Sequence, residues 1–198
     1  MKAGPGSLTT SAPLYVAWEI TRRCNARCVH CYSDSGPEVS IDDDLPTDVA
    51  LDVVDQLAEA GVLVLAFSGG EPLVRGDWDR LVDRAVRRGL SVNVGSNGAT
   101  MTEANVDRLR ELGVRSVTVS LDSWNPSAHD EFRRCPGLFD RAIRGIERLV
   151  ARGIRVVVGF TPTRLNWADG PGVVRLASQL GASAANLSEY VPAGRGTT

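Results

Sequence analysis

The sequence predicts an α/β fold, and three observations predict it. From residue 46 onward an amphipathic stretch, a glycine and a short apolar run recur in that order. The apolar runs are rich in valine, as suits parallel strands covered on both faces. An early apolar run, "LYVAWEI", places one strand ahead of the first helix. Strands that alternate with helices in this way mark the α/β class.

The elements follow in order. "PTDVALDVVDQLAEAG" carries Val49, Val53, Val54, Leu57 and Ala60 at helical spacing and stops at Gly61, before "LVLAF". "DWDRLVDRAVRRG" sets Trp78, Leu81, Val82, Ala85 and Val86 on one face and stops at Gly89, before "LSVNV". "TEANVDRLRELG" ends at Gly113 before "VRSVTVSL", and "FDRAIRGIERLVARG" ends at Gly153 before "IRVVVGF". "GPGVVRLASQLG" ends at Gly181 before "ASAANLSEY". Each glycine suits a left-handed helix C-cap. With the early strand this makes six strands, and no internal sequence repeat accompanies the rhythm.

The unusual residues all fall after strands. "CNARCVHC" (24–31) follows strand 1, "SGGEP" (68–72) strand 2 and "GSNGA" (95–99) strand 3. "SLDS" (120–123) closes strand 4, "TPTR" (161–164) follows strand 5 and "VPAGRG" (191–196) follows strand 6. Parallel α/β folds place their sites at the carboxyl ends of strands. An open doubly wound sheet would spread six such ends along an edge, whereas a curved one gathers them at a single mouth. The expected architecture is therefore a (β/α)6 partial TIM barrel.

Composition sets the outer bounds. The chain has 198 residues, 43% hydrophobic and 23% charged, enough for one ordinary core. Residues 1–12, small and polar, are expected to form a flexible segment ahead of a single domain at 13–198. A net charge of −2 offers no general attraction for nucleic acid or anionic lipid. The first residues lack the apolar run of a secretory signal, and no stretch approaches the ~20 apolar residues of a membrane span. The expected location is the cytoplasm, where clustered cysteines bind metal more often than they form disulfides.

Cys24, Cys28 and Cys31 lie within eight positions, and only Cys135 lies elsewhere. A structural zinc site needs four ligands, often as two cysteine pairs. Here His30, His129 or Cys135 would have to complete the set, and none has a recognisable spacing. A polar loop with Asn25 and Arg27 is a poor place for inert buried thiols. An iron–sulfur cluster fits better, since thiolates at closely spaced loop positions ligate such clusters. Three cysteines on a four-iron cubane leave one iron open, a position for a substrate or cofactor.

"CNARCVHC" has the C-x3-C-x2-C spacing of the radical SAM superfamily, and "GGEP" (69–72) resembles that superfamily's second-strand motif. The resemblance runs from about residue 14 to 196. It implies a [4Fe–4S] cluster on Cys24, Cys28 and Cys31, with S-adenosylmethionine chelating the open iron. Reductive cleavage would then give a 5′-deoxyadenosyl radical that abstracts hydrogen from a substrate. An electron donor such as flavodoxin or ferredoxin is also implied.

The same resemblance places further residues by the cofactor. Gly69, Gly70, Glu71 and Pro72 would border it: the paired glycines let a ligand approach the backbone closely, and Glu71 would suit its amine. His30 stands where relatives carry an aromatic residue near the adenine. Asn97, with Gly98, matches a third-strand pair beside the cofactor. Ser120 and Asp122, two apart and so expected on one side of strand 4, match contacts to the methionine carboxylate or ribose. Arg133, in "FRRCPGLF", matches a carboxylate-binding arginine, although Arg134 stands where glycine is frequent. "VPAGRG" is similar to loops that close over the adenine.

"WEITRRCNARCVHCY", "SGGEPL", "SNGA" and "SLDS" together are most similar to the branch with a C-terminal SPASM or twitch extension, which includes peptide, cofactor and haem maturases. A peptide or small cofactor precursor is the implied substrate. The sequence ends at Thr198, after strand 6, so a fragment, a truncated reading frame and a minimal core are the readings of its length. A non-catalytic zinc or iron–sulfur module and an inactive core are the alternatives to an enzyme.

Overall fold

The computed structural model describes residues 13–197; the expected flexible segment 1–12 lies outside the described residues. Six strands alternate with helices: β1 (Tyr15–Glu19), β2 (Val64–Ser68), β3 (Ser91–Ser96), β4 (Ser116–Ser120), β5 (Arg155–Phe160) and β6 (Ala184–Leu187). The principal helices are α1 (Thr47–Glu59), α2 (Trp78–Arg87), α3 (Glu103–Glu111), α4 (Pro126–Arg133), α5 (Leu138–Ala151) and α6 (Gly170–Gln179).

All strand pairs are parallel, and the sheet order is β1-β2-β3-β4-β5-β6. Each strand adds to the same side of its predecessor, so there is no switch point. β1 and β6 form the two edges of the sheet. The (β/α)6 arrangement read from the sequence is the one observed.

The five glycines that end α1, α2, α3, α5 and α6 all have positive φ, between 71° and 88°. One helix, α4, was not expected. Its signals are Pro126 in the first turn and Asn125, whose side chain accepts from the Ala128 N–H.

The strands differ on their two faces. The outward row Phe67, Val94, Val117 and Val156 is in register across β2–β5 and fully buried with Leu81, Leu109, Ile146 and Leu149 of the helices. The inward positions near the carboxyl ends are small or polar: Ser68, Gly95, Thr118 and Ser120. Uniform valine-rich burial on both faces was therefore too simple an expectation. The small inward side chains leave space above the sheet. Among the described residues no helix is long and apolar enough to cross a membrane.

Candidate functional site

A cavity of ≈ 410 Å³ opens at the carboxyl ends of the strands. Its walls include Cys24, Cys28 and Cys31 after β1, Gly69 and Gly70 after β2, and Asn97 after β3. Thr118 and Ser120 of β4, Thr161 after β5, and Tyr190, Val191 and Arg195 after β6 complete it. All six strand ends reach one cavity only because the sheet is curved.

The cysteine loop is held by its neighbours more than by itself. The Arg27 and Val29 N–H groups donate to Arg133 O and Phe132 O at the end of α4, at 3.2 and 3.0 Å. On the β2 side, Gly70 N–H donates to Thr21 O (2.8 Å) and Glu71 N–H to Arg23 O (2.9 Å). A Cβ on Gly69 would lie 2.2 Å from Thr21 O, and one on Gly70 would lie 2.2 Å from Arg23 O. The glycine pair thus admits the chain entering the cysteine loop, an approach the sequence argument had reserved for a ligand. Both glycines also line the cavity.

Glu71 is fully buried. Its carboxylate accepts from Ser96 Oγ at 3.0 Å, from the Asn97 N–H at 2.8 Å and from Thr100 Oγ1 at 2.8 Å. Burial pushes its pKa up, and these hydrogen bonds oppose the rise. The side chain braces the loop after β3 and does not form part of the cavity wall. Pro72 is likewise buried behind it. Asn97 Nδ2 donates to Asn25 Oδ1 at 2.7 Å and lies 3.7 Å from Cys24 Sγ. The Glu71 network thereby reaches the first thiol through Asn97.

The β4 side is built on charge. Ser120 faces the cavity with Thr118, as strand alternation requires. Asp122 lies beyond the last residue of β4, so the alternation argument does not extend to it. It is 1% exposed, and its Oδ2 accepts from both Arg133 Nε and Nη2 at 2.7 Å. Arg133 lines the cavity above this pair. Burial alone would lower the Arg133 pKa, but Asp122 beside it leaves the net shift upward. Arg134 adopts φ 47°, the left-handed conformation that glycine favours at this position.

His30 stacks on Phe132, with centroids 4.6 Å apart, and its Nε2 is 3.7 Å from Asp122 Oδ2. Burial lowers its pKa to about 4. Its Nδ1 is buried without a hydrogen-bond partner among the described residues. His129, which the sequence argument weighed only as a zinc ligand, accepts from the Asp122 N–H through Nδ1. It sits beneath the wall, away from the three thiols' cavity lining.

Sequence reasoning missed Thr100, Thr118 and Tyr190, and it marked Ser96, Thr161 and Arg195 only as parts of the segments 95–99, 161–164 and 191–196 with no role of their own. Thr118 was legible from the period of β4. Ser96 and Thr100 bind a carboxylate 25 and 29 positions away, which no local pattern records.

The thiols open onto one shared space. Among the described residues no three His, Cys, Asp or Glu side chains gather around a point fit for a single ion. The donor set, three thiols on one cavity lined also by polar side chains, fits a larger iron–sulfur body and a polar organic ligand.

Comparisons with known proteins agree with this geometry. A family model described as the radical SAM superfamily matches residues 18–171. An AdoMet-dependent heme synthase of Methanosarcina barkeri (strain Fusaro / DSM 804) is 38% identical over 187 residues, 94% of this chain and 53% of that protein. The mycofactocin maturase MftC of Mycobacterium tuberculosis (strain ATCC 25618 / H37Rv) is 35% identical over 187 residues, 94% of this chain and 47% of that protein. The chain spans about half the length of these relatives. The crystal structure of Streptococcus suis SuiB bound to S-adenosylmethionine covers 91% of this chain and 41% of its own, with TM-score 0.79 and 17% identity, a likeness of fold. These relatives are of the maturase kinds that the sequence resembles, and the chain belongs to the radical SAM superfamily.

Proposed function

We propose that this chain is the catalytic core of a radical SAM enzyme that acts on a peptide or a small cofactor precursor. The observation that carries the reading is the meeting of Cys24, Cys28 and Cys31 with all six strand ends on one cavity. The three thiolates would hold a [4Fe–4S] cluster, and the remaining space would hold S-adenosylmethionine. When bound, these groups supply one-electron cleavage of the sulfonium and a radical that takes hydrogen from a substrate.

The protein's own residues then have distinct tasks. Arg133, oriented by Asp122, offers a fixed cation to the cofactor carboxylate. Ser120 and Thr118 offer hydroxyls, and the Gly69–Gly70 backbone offers its carbonyl groups to the amine. His30, flat against Phe132, offers a face for the adenine. Glu71 and Pro72 act behind this surface by fixing the glycine pair and Asn97.

A second hollow of ≈ 550 Å³ adjoins the first and shares His30 and Tyr190 with it. Val29, Phe132 and Leu165 make apolar walls and Arg164 adds a cation. That composition suits a largely apolar substrate bearing an anionic group. The names of the relatives, heme synthase and mycofactocin maturase, support the two substrate classes. Flavodoxin or ferredoxin would supply the electron.

Reduced, anaerobically reconstituted protein mixed with S-adenosylmethionine should release 5′-deoxyadenosine. Iron uptake without that product would leave a cluster-binding module, and stoichiometric zinc that iron cannot displace would overturn the cluster itself.

A further inference from the structure

We propose that Arg195 is a positioning residue that clamps the cysteine loop, holding Cys28 and Cys31 in place for cluster binding. The inference rests on reading the three cysteines as ligands. It concerns a residue to which the sequence argument assigned no role.

Arg195 lies after β6, at one edge of the sheet, and the cysteine loop lies after β1, at the other. The two edge strands do not pair, so contact between them must come from side chains and turns. Arg195 supplies four hydrogen bonds of it. Its Nε donates to Cys28 O at 3.2 Å, its Nη2 to Ser35 O at 2.5 Å and its Nη1 to Asp34 Oδ1 at 2.7 Å. Its backbone N–H donates to Cys31 O at 3.0 Å. One residue thus holds the loop at four points between 28 and 35. The forked guanidinium can do this where an ammonium cannot.

The preceding residue shows that the turn is built for this contact. Gly194 has φ 53°, and a Cβ there would lie 2.6 Å from both Cys31 O and Tyr32 O. Tyr190 Oη donates to Gly196 O and closes the turn. The clamp complements the other supports. Arg27 and Val29 are held by α4, and Cys24 is approached by Asn97. Arg195 is the tie to the carbonyls of Cys28 and Cys31. Because Tyr190, Val191 and Arg195 also line the cavity, the segment that walls it also orders the loop.

The test reads the thiols directly, without catalysis. The metal-free full chain is alkylated under reducing conditions, and each cysteine is followed by mass spectrometry with Cys135 as internal reference. Arg195→Ala should raise the rates of Cys28 and Cys31 about tenfold, the scale expected when charge-assisted bonds that restrain local opening are lost. Cys24 should change little. Arg195→Lys should give a smaller rise. Gly194→Ala, which keeps the guanidinium but forces the turn off the loop, should match Arg195→Ala and carries the test if that variant does not fold. Iron per chain after anaerobic reconstitution should fall in the same order. Unchanged rates at Cys28 and Cys31, or an equal rise at Cys24, would overturn the clamp. Failure of the wild-type chain to take up iron would instead overturn the ligand reading.

Discussion

Glu71 and Asp122 stand behind different walls of the same cavity, 0% and 1% exposed, and each sits a short way past a strand. Glu71 is met by neutral donors: two hydroxyls and a backbone N–H. Asp122 is met by a guanidinium at 2.7 Å. The Glu71 wall can lose its charge and keep its hydrogen bonds. The Asp122 wall cannot, because Arg133 stays charged when its partner is removed. The β2–β3 side is therefore a backbone-and-glycine construction with a polar pin. The β4 side is an ion pair that presents one cation to the cavity.

The largest effect should come from breaking the ion pair. Asp122→Asn removes the charge, keeps the shape and leaves Arg133 buried without compensation. Loss of a buried partner of this kind costs about 3–5 kcal/mol. Chemical denaturation should show that loss, and cofactor affinity should fall because Arg133 is no longer oriented. A change under 1 kcal/mol would mean that the guanidinium turns into the cavity and is solvated there.

Next in size is the glycine wall. Gly70→Ala places a methyl group 2.2 Å from Arg23 O, a backbone atom that can move only with the cysteine loop. Overpacking together with two weakened backbone hydrogen bonds should cost about 3 kcal/mol. Iron uptake should fall along with stability. Intact iron uptake with weaker binding of S-adenosylmethionine would show that the glycine serves the cofactor alone.

These two sites also mark how far the sequence was legible. The strand order, the glycine-capped helices and the convergence of odd residues could be read because each rests on a local pattern: period, cap or spacing. The cysteine triplet was legible for the same reason. What lies against Gly70 was not, since Arg23 is distant in sequence and a glycine pair reads alike beside a ligand or a backbone. Glu71 was assigned to the cofactor amine on the resemblance alone, and nothing near it in sequence shows that Ser96, Asn97 and Thr100 donate to its carboxylate. Asp122 was set on the face of Ser120 by an alternation that stops where β4 stops. α4 carried its signals in Asn125 and Pro126, but the short helix was hidden by attention to the arginines that follow it.

A smaller effect separates the walls by pH. His129 is buried beneath Asp122, and burial lowers its pKa from 6.5 to about 4. The unfolded chain takes up its proton near pH 6.5 while the folded chain stays neutral until about 4. Unfolding therefore gains protons in that window, and stability falls as pH drops through it. The contribution is about 3 kcal/mol at the acid end, shared with whatever else relaxes around the ring. It is absent above pH 7, where the ring is neutral in both states. His129→Gln should make the acid limb of a stability–pH curve shallower and leave the part that His30, lowered in the same way, contributes. A limb unchanged by that substitution would place the acid sensitivity elsewhere.

The smallest effect should come from the wall that carries no ion pair. Burial raises the Glu71 pKa, so the neutral form is nearer at hand there than on an exposed surface. Glu71→Gln keeps the length of the side chain and one acceptor oxygen. Its amide must point at a hydroxyl that can turn to accept, and both Ser96 and Thr100 supply one. The Asn97 N–H retains the carbonyl oxygen. The net cost should be about 1–2 kcal/mol: the bonds from Ser96 and Asn97 are kept without the charge, and the one with Thr100 is reversed. Cluster content should be unchanged, because Asn97 still reaches Cys24. The same acid-to-amide change thus serves on both walls, and the contrast with Asp122→Asn is the measurement. Equal losses at the two positions would mean that Glu71 depends on its charge as Asp122 does, and the division between a wall pinned by neutral donors and one built on an ion pair would fall.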